Sequence, residues 1–129
     1  MQLKFISVRV DDQEKALQFY THVLGFEKMA DIPLGPFRWL TVTAPEGMEG
    51  VELVLEPLSF PPAAAYQQAL YEAGMPAIAL VSKDIAAEYR RLSDKGVVFR
   101  GEPQNYGMIT SAIFSDTCGN WINLVQPMG

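Results

Sequence analysis

The chain has 129 residues, of which 49% are hydrophobic and 19% charged, and its formal net charge is -5 at pH 7. This length and composition predict one globular domain with a real core, while the single cysteine, Cys118, excludes an internal disulfide and any multi-cysteine zinc site. The acidic charge argues against a nucleic-acid partner, and no apolar run approaches the ~20 residues of a membrane span. Because no signal-peptide pattern opens the chain, we expect a cytoplasmic protein.

The first half of the chain has the pattern of a βαβββ unit. Residues 3–10 alternate and are rich in β-formers, which predicts a strand. Asp12 is a predicted N-cap, and the helix after it carries one apolar stripe and ends at Gly25. Three further strands are predicted at residues 28–32, 37–43 and 51–56, each followed by a proline within two residues.

The second half repeats this order after a connector. The connector, residues 58–76, is predicted to hold a short helix over residues 63–71. A strand at residues 77–81 then leads to a helix capped by Asp84 and ended by Gly96. The remaining strands are predicted at residues 98–101, 108–115 and 121–126.

Corresponding residues of the two halves lie 72 positions apart. The pairs that keep this offset are Asp12 with Asp84, Gly35 with Gly107, and Gly47 with Gly119. A repeat of this length indicates two copies of one supersecondary unit. Two copies that build one sheet tend to enclose a space, so we expect function where the halves face each other.

Three stretches of the chain resemble the vicinal oxygen chelate superfamily of glyoxalases, bleomycin-resistance proteins and dioxygenases. They are the strand-helix pattern of residues 8–26, the closing strand and turn of residues 47–57, and the hairpin of residues 116–124. The resemblance spans both halves. It implies an α+β fold of two tandem βαβββ modules, residues 1–57 and 77–129, whose mixed sheet curls around a central cup.

The resemblance also locates the positions at which metal-dependent members of the superfamily bind a divalent ion. Three of them fall on Phe5, Ala77 and Asn123, and the fourth falls on Glu52 or Leu53. Agreement of the strand faces favours Glu52, because strand side chains alternate with period two. Such an ion needs three or four N, O or S donors, which this set does not supply. We therefore predict no metal and no cofactor.

Strand alternation and the resemblance together predict a cup with apolar walls and a few polar anchors, the usual composition of a small-molecule site. Phe5 and Trp121 could equally be core residues, and Arg9 could either bind an anion or pair with Asp11 or Glu27. Glu52 is a weak candidate for a general base, on condition that the cavity raises its pKa. The predicted ligand-binding residues are Phe5, Ser7, Glu52, Val54, Ala77, Ala79, Trp121 and Asn123, with Arg38, Trp39 and Tyr106 as secondary candidates.

The function expected from this reasoning is metal-free binding of a small amphipathic or aromatic molecule by a homodimer. One alternative is a metal-dependent lyase, thiol transferase or dioxygenase of the same superfamily. Another is a non-catalytic interaction protein with a vestigial cup. Whether the chain catalyses a reaction stays open, because this fold supports many chemistries.

We predict that the purified protein carries no stoichiometric nickel, zinc, manganese or iron, because two of the four ligand positions hold Phe5 and Ala77. Elemental analysis by mass spectrometry, after purification without chelators, measures this directly. A content near one metal ion per chain would contradict the prediction.

Overall fold

The computed structural model describes residues 1–128, which form eight strands and three α-helices. A single π-helical turn, Phe19–Val23, continues the first helix. In chain order the elements are β1 Phe5–Val10, α1 Gln13–Gln18, β2 Glu27–Leu34, β3 Phe37–Thr43, β4 Glu52–Pro57, α2 Pro61–Glu72, β5 Ile78–Val81, α3 Ile85–Asp94, β6 Gln104–Asn105, β7 Ile109–Ser115 and β8 Trp121–Pro127.

The strands form two four-stranded mixed sheets with the same topology. The first has the order β1-β4-β3-β2 and the second the order β5-β8-β7-β6. In each, the opening strand is parallel to the closing strand and the other pairs are antiparallel. This confirms the α+β class and the tandem units. The chain divides into two compact units between Tyr66 and Gln67, inside α2.

Equivalent aspartates begin the helix of each unit, as the repeat predicts. The Asp12 side chain accepts a hydrogen bond from the Lys15 amide at 3.0 Å. The Asp84 side chain accepts one from the Ala87 amide at 3.1 Å. Both carboxylates thus satisfy a first-turn N–H group and complement the helix dipole.

Each unit buries alternate strand residues together with an apolar stripe of its helix. In the first unit the fully buried side chains include Tyr20 and Ala16 of the helical segment, with Val10, Leu40, Val42 and Leu55 of the sheet. In the second unit they include Leu92 of α3, with Phe114 and Ile122 of the sheet. On the opposite side of the first sheet, Thr41 and Val54 are also buried, while Phe5 is exposed.

The fourth strand of the second sheet differs from the sequence expectation. Residues 98–101 form only an isolated bridge, between Phe99 and Phe114, and the regular strand is the short β6 at residues 104–105. The ring of Phe99 stacks on Tyr89 of α3 at 4.7 Å. The position of residues 98–101 therefore depends on the packing of Phe99 between α3 and β7. Alternation of the sequence alone does not reveal this contact.

A buried glutamine fixes α1 to the first sheet. The Gln13 Nε2 group donates to the Arg38 carbonyl at 2.8 Å and to the Leu55 carbonyl at 2.9 Å. Its Oε1 atom accepts from the Arg38 amide at 3.0 Å. One side chain thereby satisfies backbone groups of both β3 and β4. Without it, these groups would be left unpaired near the core.

We predict that Gln13→Ala lowers the free energy of unfolding by about 2 kcal/mol, because it leaves three backbone groups without their partner. Urea denaturation followed by circular dichroism measures the change. Gln18→Ala is the matched control, since Gln18 lies on the same helix and its side chain bonds only to exposed Glu14. Equal effects of the two substitutions would contradict the anchoring role of Gln13.

Candidate functional site

The side of the first sheet that faces away from α1 brings five of the predicted residues together. The register places Phe5 opposite Glu52, Ser7 opposite Val54, and Arg9 opposite Glu56. Thr41 of β3 is also opposite Val54, and Trp39 lies two residues before it on the same side. Paired strand residues project to the same side of a sheet. The pocket face, as it is called below, consists of Phe5, Ser7, Arg9, Trp39, Thr41, Glu52, Val54 and Glu56.

A pocket of about 260 Å³ lies at the Arg9 and Glu56 end of the pocket face. Its walls combine aromatic and aliphatic side chains with one acid and two arginines. Apolar walls with a few polar groups are the composition expected of a small-molecule site, although the volume is just below the ~300 Å³ at which such sites usually begin. The lining residues are Arg9, Leu34, Phe37, Arg38, Trp39, Val54, Glu56, Pro57 and Ser59.

Glu56 binds two neighbours on β1. Its Oε1 atom accepts a hydrogen bond from the Ser7 hydroxyl at 2.9 Å, and its Oε2 atom forms a salt bridge with Arg9. The sequence suggested Asp11 or Glu27 as a partner for Arg9, but strand pairing places Glu56 directly opposite it. The side chains of Arg9 and Glu56 are 44% and 29% exposed, so a ligand in the pocket can reach both.

Glu52 forms a second charged cluster at the other end of the pocket face. The Thr41 hydroxyl donates to its Oε1 atom at 2.7 Å, and the Lys4 ammonium lies 3.1 Å from its Oε2 atom. The Thr41 hydrogen bond is the larger of the two effects, and together they hold the pKa of Glu52 below its ordinary value of 4.5. A lowered pKa makes a carboxylate a weaker base. The condition for a general-base role, a raised pKa, is not met.

The two secondary candidates on β3 have different environments. Trp39 packs edge-to-face against Phe5, with ring centroids 5.4 Å apart, so both rings belong to the pocket face. The Arg38 guanidinium instead binds Asp31 through two hydrogen bonds of 2.9 and 2.7 Å and Glu14 through one of 3.0 Å. The Arg38 hydrogen bonds lower the pKa of the Asp31 carboxyl, the Gln18 hydrogen bond and then Arg38 lower that of Glu14, and Asp31 chiefly raises the pKa of Arg38. The charge of Arg38 is therefore compensated within the protein.

The second sheet, with the residue before β5, brings four further predicted residues together on one side: Ala77, Ala79, Trp121 and Asn123. Ala79 is paired with Asn123, and the Ala77 amide donates to the Trp121 carbonyl at 2.9 Å. The Asn123 Oδ1 atom accepts from the Ser111 hydroxyl at 2.8 Å. Asn123 is half-buried, and this bond satisfies its carbonyl oxygen. The amide is thus oriented by a neighbouring strand.

Trp121 is held in place by the residues around it. Its indole N–H donates to the Tyr71 carbonyl at 3.1 Å, and its ring stacks on that of Tyr71 with centroids 4.8 Å apart. The Arg100 guanidinium lies 5.3 Å from the indole centroid and donates to the Gly74 carbonyl at 2.6 Å. These contacts account for Trp121 as a packing residue, while its role toward a ligand stays a prediction. Tyr106, in the β6–β7 hairpin, is 69% exposed.

Strand register refines the correspondence between the two units. Asn123 pairs with Ala79, which lies 72 residues after Ser7, and Ser7 pairs with Val54. By register, the counterpart of Asn123 is therefore Val54. Glu52 lies on the same side of its sheet but one pleat away, opposite Phe5. Alternation of the sequence predicts correctly which side of a sheet a residue lies on. Which residue lies opposite it on the neighbouring strand is known only from the strand pairing.

The hairpin turn of residues 116–120 contains a buried network that the sequence did not suggest. The Asp116 carboxylate accepts from the Cys118 and Asn120 amides at 2.7 and 3.1 Å, and from the Asn120 side chain at 2.8 Å. The Gln67 side-chain amide of α2 donates to Asn120 Oδ1 at 3.2 Å. Cys118 is fully buried. The signal available in the sequence was an Asp followed four residues later by Asn, which is typical of side chains that bind their own turn.

The residues at the four metal positions that the resemblance implies do not fit a divalent ion. Phe5 and Ala77 have no side-chain donor atom, and the fourth position is either Val54 by register, which also has none, or Glu52, which Thr41 and Lys4 engage. Within residues 1–128, neither unit brings together three His, Cys, Asp or Glu side chains that could hold a metal ion.

Over the same residues, the helices are all too short or too polar to cross a membrane.

The family model of the Glyoxalase/Bleomycin resistance protein/Dioxygenase superfamily matches residues 2–124. The chain belongs to this superfamily. Its resemblance to the vicinal oxygen chelate proteins is thereby confirmed. The uncharacterized protein YurT of Bacillus subtilis (strain 168) is 47% identical over 126 residues, which cover 98% of this chain and 99% of YurT.

Two solved structures extend the comparison to the fold. The crystal structure of UcmS2 matches with a TM-score of 0.82 and 33% identity, covering 97% of each chain. That of TnmS3, an antibiotic binding protein from Streptomyces sp. CB03234, matches with a TM-score of 0.77 and 34% identity, covering 99% of this chain and 97% of TnmS3. These matches confirm the glyoxalase/bleomycin resistance fold over nearly the whole chain.

We predict that Thr41→Val raises the pKa of Glu52 and lowers the free energy of unfolding at pH 7 by about 1 kcal/mol. Since the folded-state pKa of Glu52 is lowered, its contribution is fully present above the unfolded value near 4.5 and is lost as the pH falls through the folded-state pKa. The difference between the two proteins should therefore shrink in acid.

Carboxyl NMR titration and urea denaturation at several pH values measure these two effects. Thr41→Ser is the control, because it keeps the hydroxyl that donates to Glu52. A stability deficit that stays constant from pH 7 to below the pKa of Glu52 would assign the Thr41 effect to lost packing alone.

Proposed function

We propose that this chain is a metal-free binding protein for a small amphipathic or aromatic molecule. The observation that carries the proposal is the pocket on the first sheet, where apolar walls adjoin the Arg9–Glu56 pair and Ser7 bonds to Glu56. Aromatic side chains supply contact area and the cluster supplies hydrogen bonds, which together orient a ligand.

Exposure of apolar side chains around the pocket supports ligand binding. Leu34 and Phe37, which line the pocket, are 62% and 39% exposed, and Phe5, whose ring packs against the lining residue Trp39, is 47% exposed. Single exposed apolar residues are ordinary, but a group that adjoins a pocket marks a surface that gains from being covered. A flat apolar ligand against Trp39 and Phe37 would cover this group.

Similarity to an antibiotic-binding protein supports an aromatic or antibiotic-like ligand. TnmS3 binds an antibiotic and is 34% identical to this chain along nearly its whole length. The fold alone would not carry the inference, since it supports many functions. The similarity to TnmS3 therefore supports the proposal only together with the residues that line the pocket.

The residues at the predicted metal-ligand positions favour metal-free binding over the metal-dependent chemistry of other superfamily members. Phe5 and Ala77 would each have to be replaced by a donor to complete a coordination shell. On this basis we propose a binding protein and not a metal-dependent lyase, thiol transferase or dioxygenase.

We propose a homodimer as the assembly. Members of the superfamily commonly pair, and β2 is an edge strand with exposed Met29 and Ile32. Such an edge is prone to association unless it is covered. Sedimentation analysis would then give twice the 14.3 kDa of one chain, whereas the mass of one chain would exclude the dimer.

A thermal-shift screen against aromatic antibiotics, thiols and small oxo-acids tests the binding function. We expect an aromatic compound to raise the melting temperature, because binding to the native state alone stabilises it. No shift with any compound, up to the solubility of each, would favour an interaction protein with a vestigial site.

We predict that Trp39→Leu weakens binding of naphthol, an uncharged aromatic probe, by about tenfold, because it removes the largest ring of the pocket. Calorimetric titration measures the affinity. Trp121→Ala tests the second sheet: unchanged affinity would remove Trp121 from the site, and a comparable loss would add it. Tyr66→Leu is the control, because Tyr66 is an exposed aromatic on α2 outside the predicted site.

A further inference from the structure

Each carboxylate of the pocket face has a basic partner. Lys4 pairs with Glu52 at one end, and Arg9 pairs with Glu56 at the pocket. We propose that the Arg9–Glu56 pair makes the pocket select ligands whose polar end is uncharged and both donates and accepts hydrogen bonds. This inference rests on the proposed binding function and specifies the chemical class of the ligand.

An ionised ligand head meets a like charge at either member of the pair. An anion that approaches Arg9 also approaches the Glu56 carboxylate, which contacts the same guanidinium. A cation that approaches Glu56 meets Arg9 in the same way. Because one residue lies directly opposite the other in the strand register, a ligand cannot reach one charge and avoid the other.

Covering the pair with a ligand strengthens this selection. Arg9 and Glu56 are partly exposed in the protein, so water screens their charges. An apolar ring against Trp39 and Phe37 would displace that water, and an unbalanced charge then costs more in the lower dielectric. The pair stays balanced only if the ligand adds no net charge.

The charge of the surrounding unit disfavours anions further. Residues 1–66 contain nine Asp and Glu side chains and five Lys and Arg side chains. The resulting field repels an anionic ligand during approach as well as in the pocket. An uncharged head escapes both effects: a hydroxyl or primary amide can donate to Glu56 while it accepts from Arg9. The ligand class is therefore a flat apolar molecule with a neutral phenol or primary amide end.

Three probes with a common naphthalene body test the selection: naphthol, naphthoate and naphthylmethylammonium. Calorimetric titration of the full-length protein at pH 7 and low salt gives their affinities. We expect naphthol to bind at least about tenfold more tightly than either ion. Naphthoate or naphthylmethylammonium binding as tightly as naphthol would overturn the inference and leave the proposed binding function standing.

Two single substitutions should change the preference in opposite directions. Glu56→Gln leaves Arg9 without its carboxylate, so naphthoate should gain about tenfold in affinity and naphthylmethylammonium should not. Arg9→Gln should produce the reverse gain for naphthylmethylammonium. If both variants keep the wild-type order of affinities, the pair does not determine selection.

Charge-matched controls come from the Asp11–Lys15 pair, whose side chains are 45% and 46% exposed and lie outside the pocket. Asp11→Asn and Lys15→Gln change the net charge as the pocket substitutions do, and neither should alter the preference. Similar shifts in these controls would assign selection to net charge and overturn the role of the pair.

If a pocket variant fails to fold, the order of affinities of the three probes for the wild-type protein decides alone. No binding of any probe to the wild type would overturn both the inference and the proposed function.

Discussion

Strand β4 has the central place in the first unit, because its register with β1 and β3 determines where every candidate side chain lies. Leu53 and Leu55 project toward the helix side, while Glu52, Val54 and Glu56 project to the pocket face. A shift of one residue would exchange the two sets and bury two carboxylates against α1. The bonds from Gln13 to the Leu55 and Arg38 carbonyls hold α1, β3 and β4 in this arrangement.

The same register explains why the pocket face carries charges without a large electrostatic penalty. Each acid on β4 lies next to a base on or beside β1, and each also accepts a bond from a hydroxyl. Thr41 provides that hydroxyl for Glu52, and Ser7 provides it for Glu56. Partly buried carboxylates are tolerated when both oxygens have such partners. The polar cluster is thus a stable part of the face.

Sequence patterns predicted the fold because its signals are local and repeated. Both aspartate caps, the strands of the first unit and the tandem order follow from alternation, helix signals and the 72-residue offset. The same alternation placed Phe5, Ser7 and Arg9 on one side of β1. The local sequence pattern was sufficient for this, because side chains along a strand alternate between the two sides of the sheet with a fixed period of two.

What the sequence did not predict depends on contacts between distant residues. The partners of Gln13 lie 25 and 42 residues away, and the indole of Trp121 binds a carbonyl 50 residues away. The pKa of Glu52 falls chiefly because the Thr41 hydroxyl on the adjacent strand β3 donates to it, a contact that no local pattern contains. Arg38 was likewise a secondary candidate for ligand binding, although Asp31 and Glu14 compensate its charge.

The satisfaction of polar groups limits what can drive ligand binding to this chain. Over residues 1–128, every buried side-chain nitrogen or oxygen has a hydrogen-bond partner. A ligand therefore cannot gain affinity by rescuing an unpaired buried group, and its polar end can only exchange one satisfied arrangement for another. The gain has to come from covering apolar surface at Phe5, Leu34, Phe37 and Trp39. Affinity would follow the apolar body of the ligand, while the Arg9–Glu56 pair would determine which polar ends are accepted.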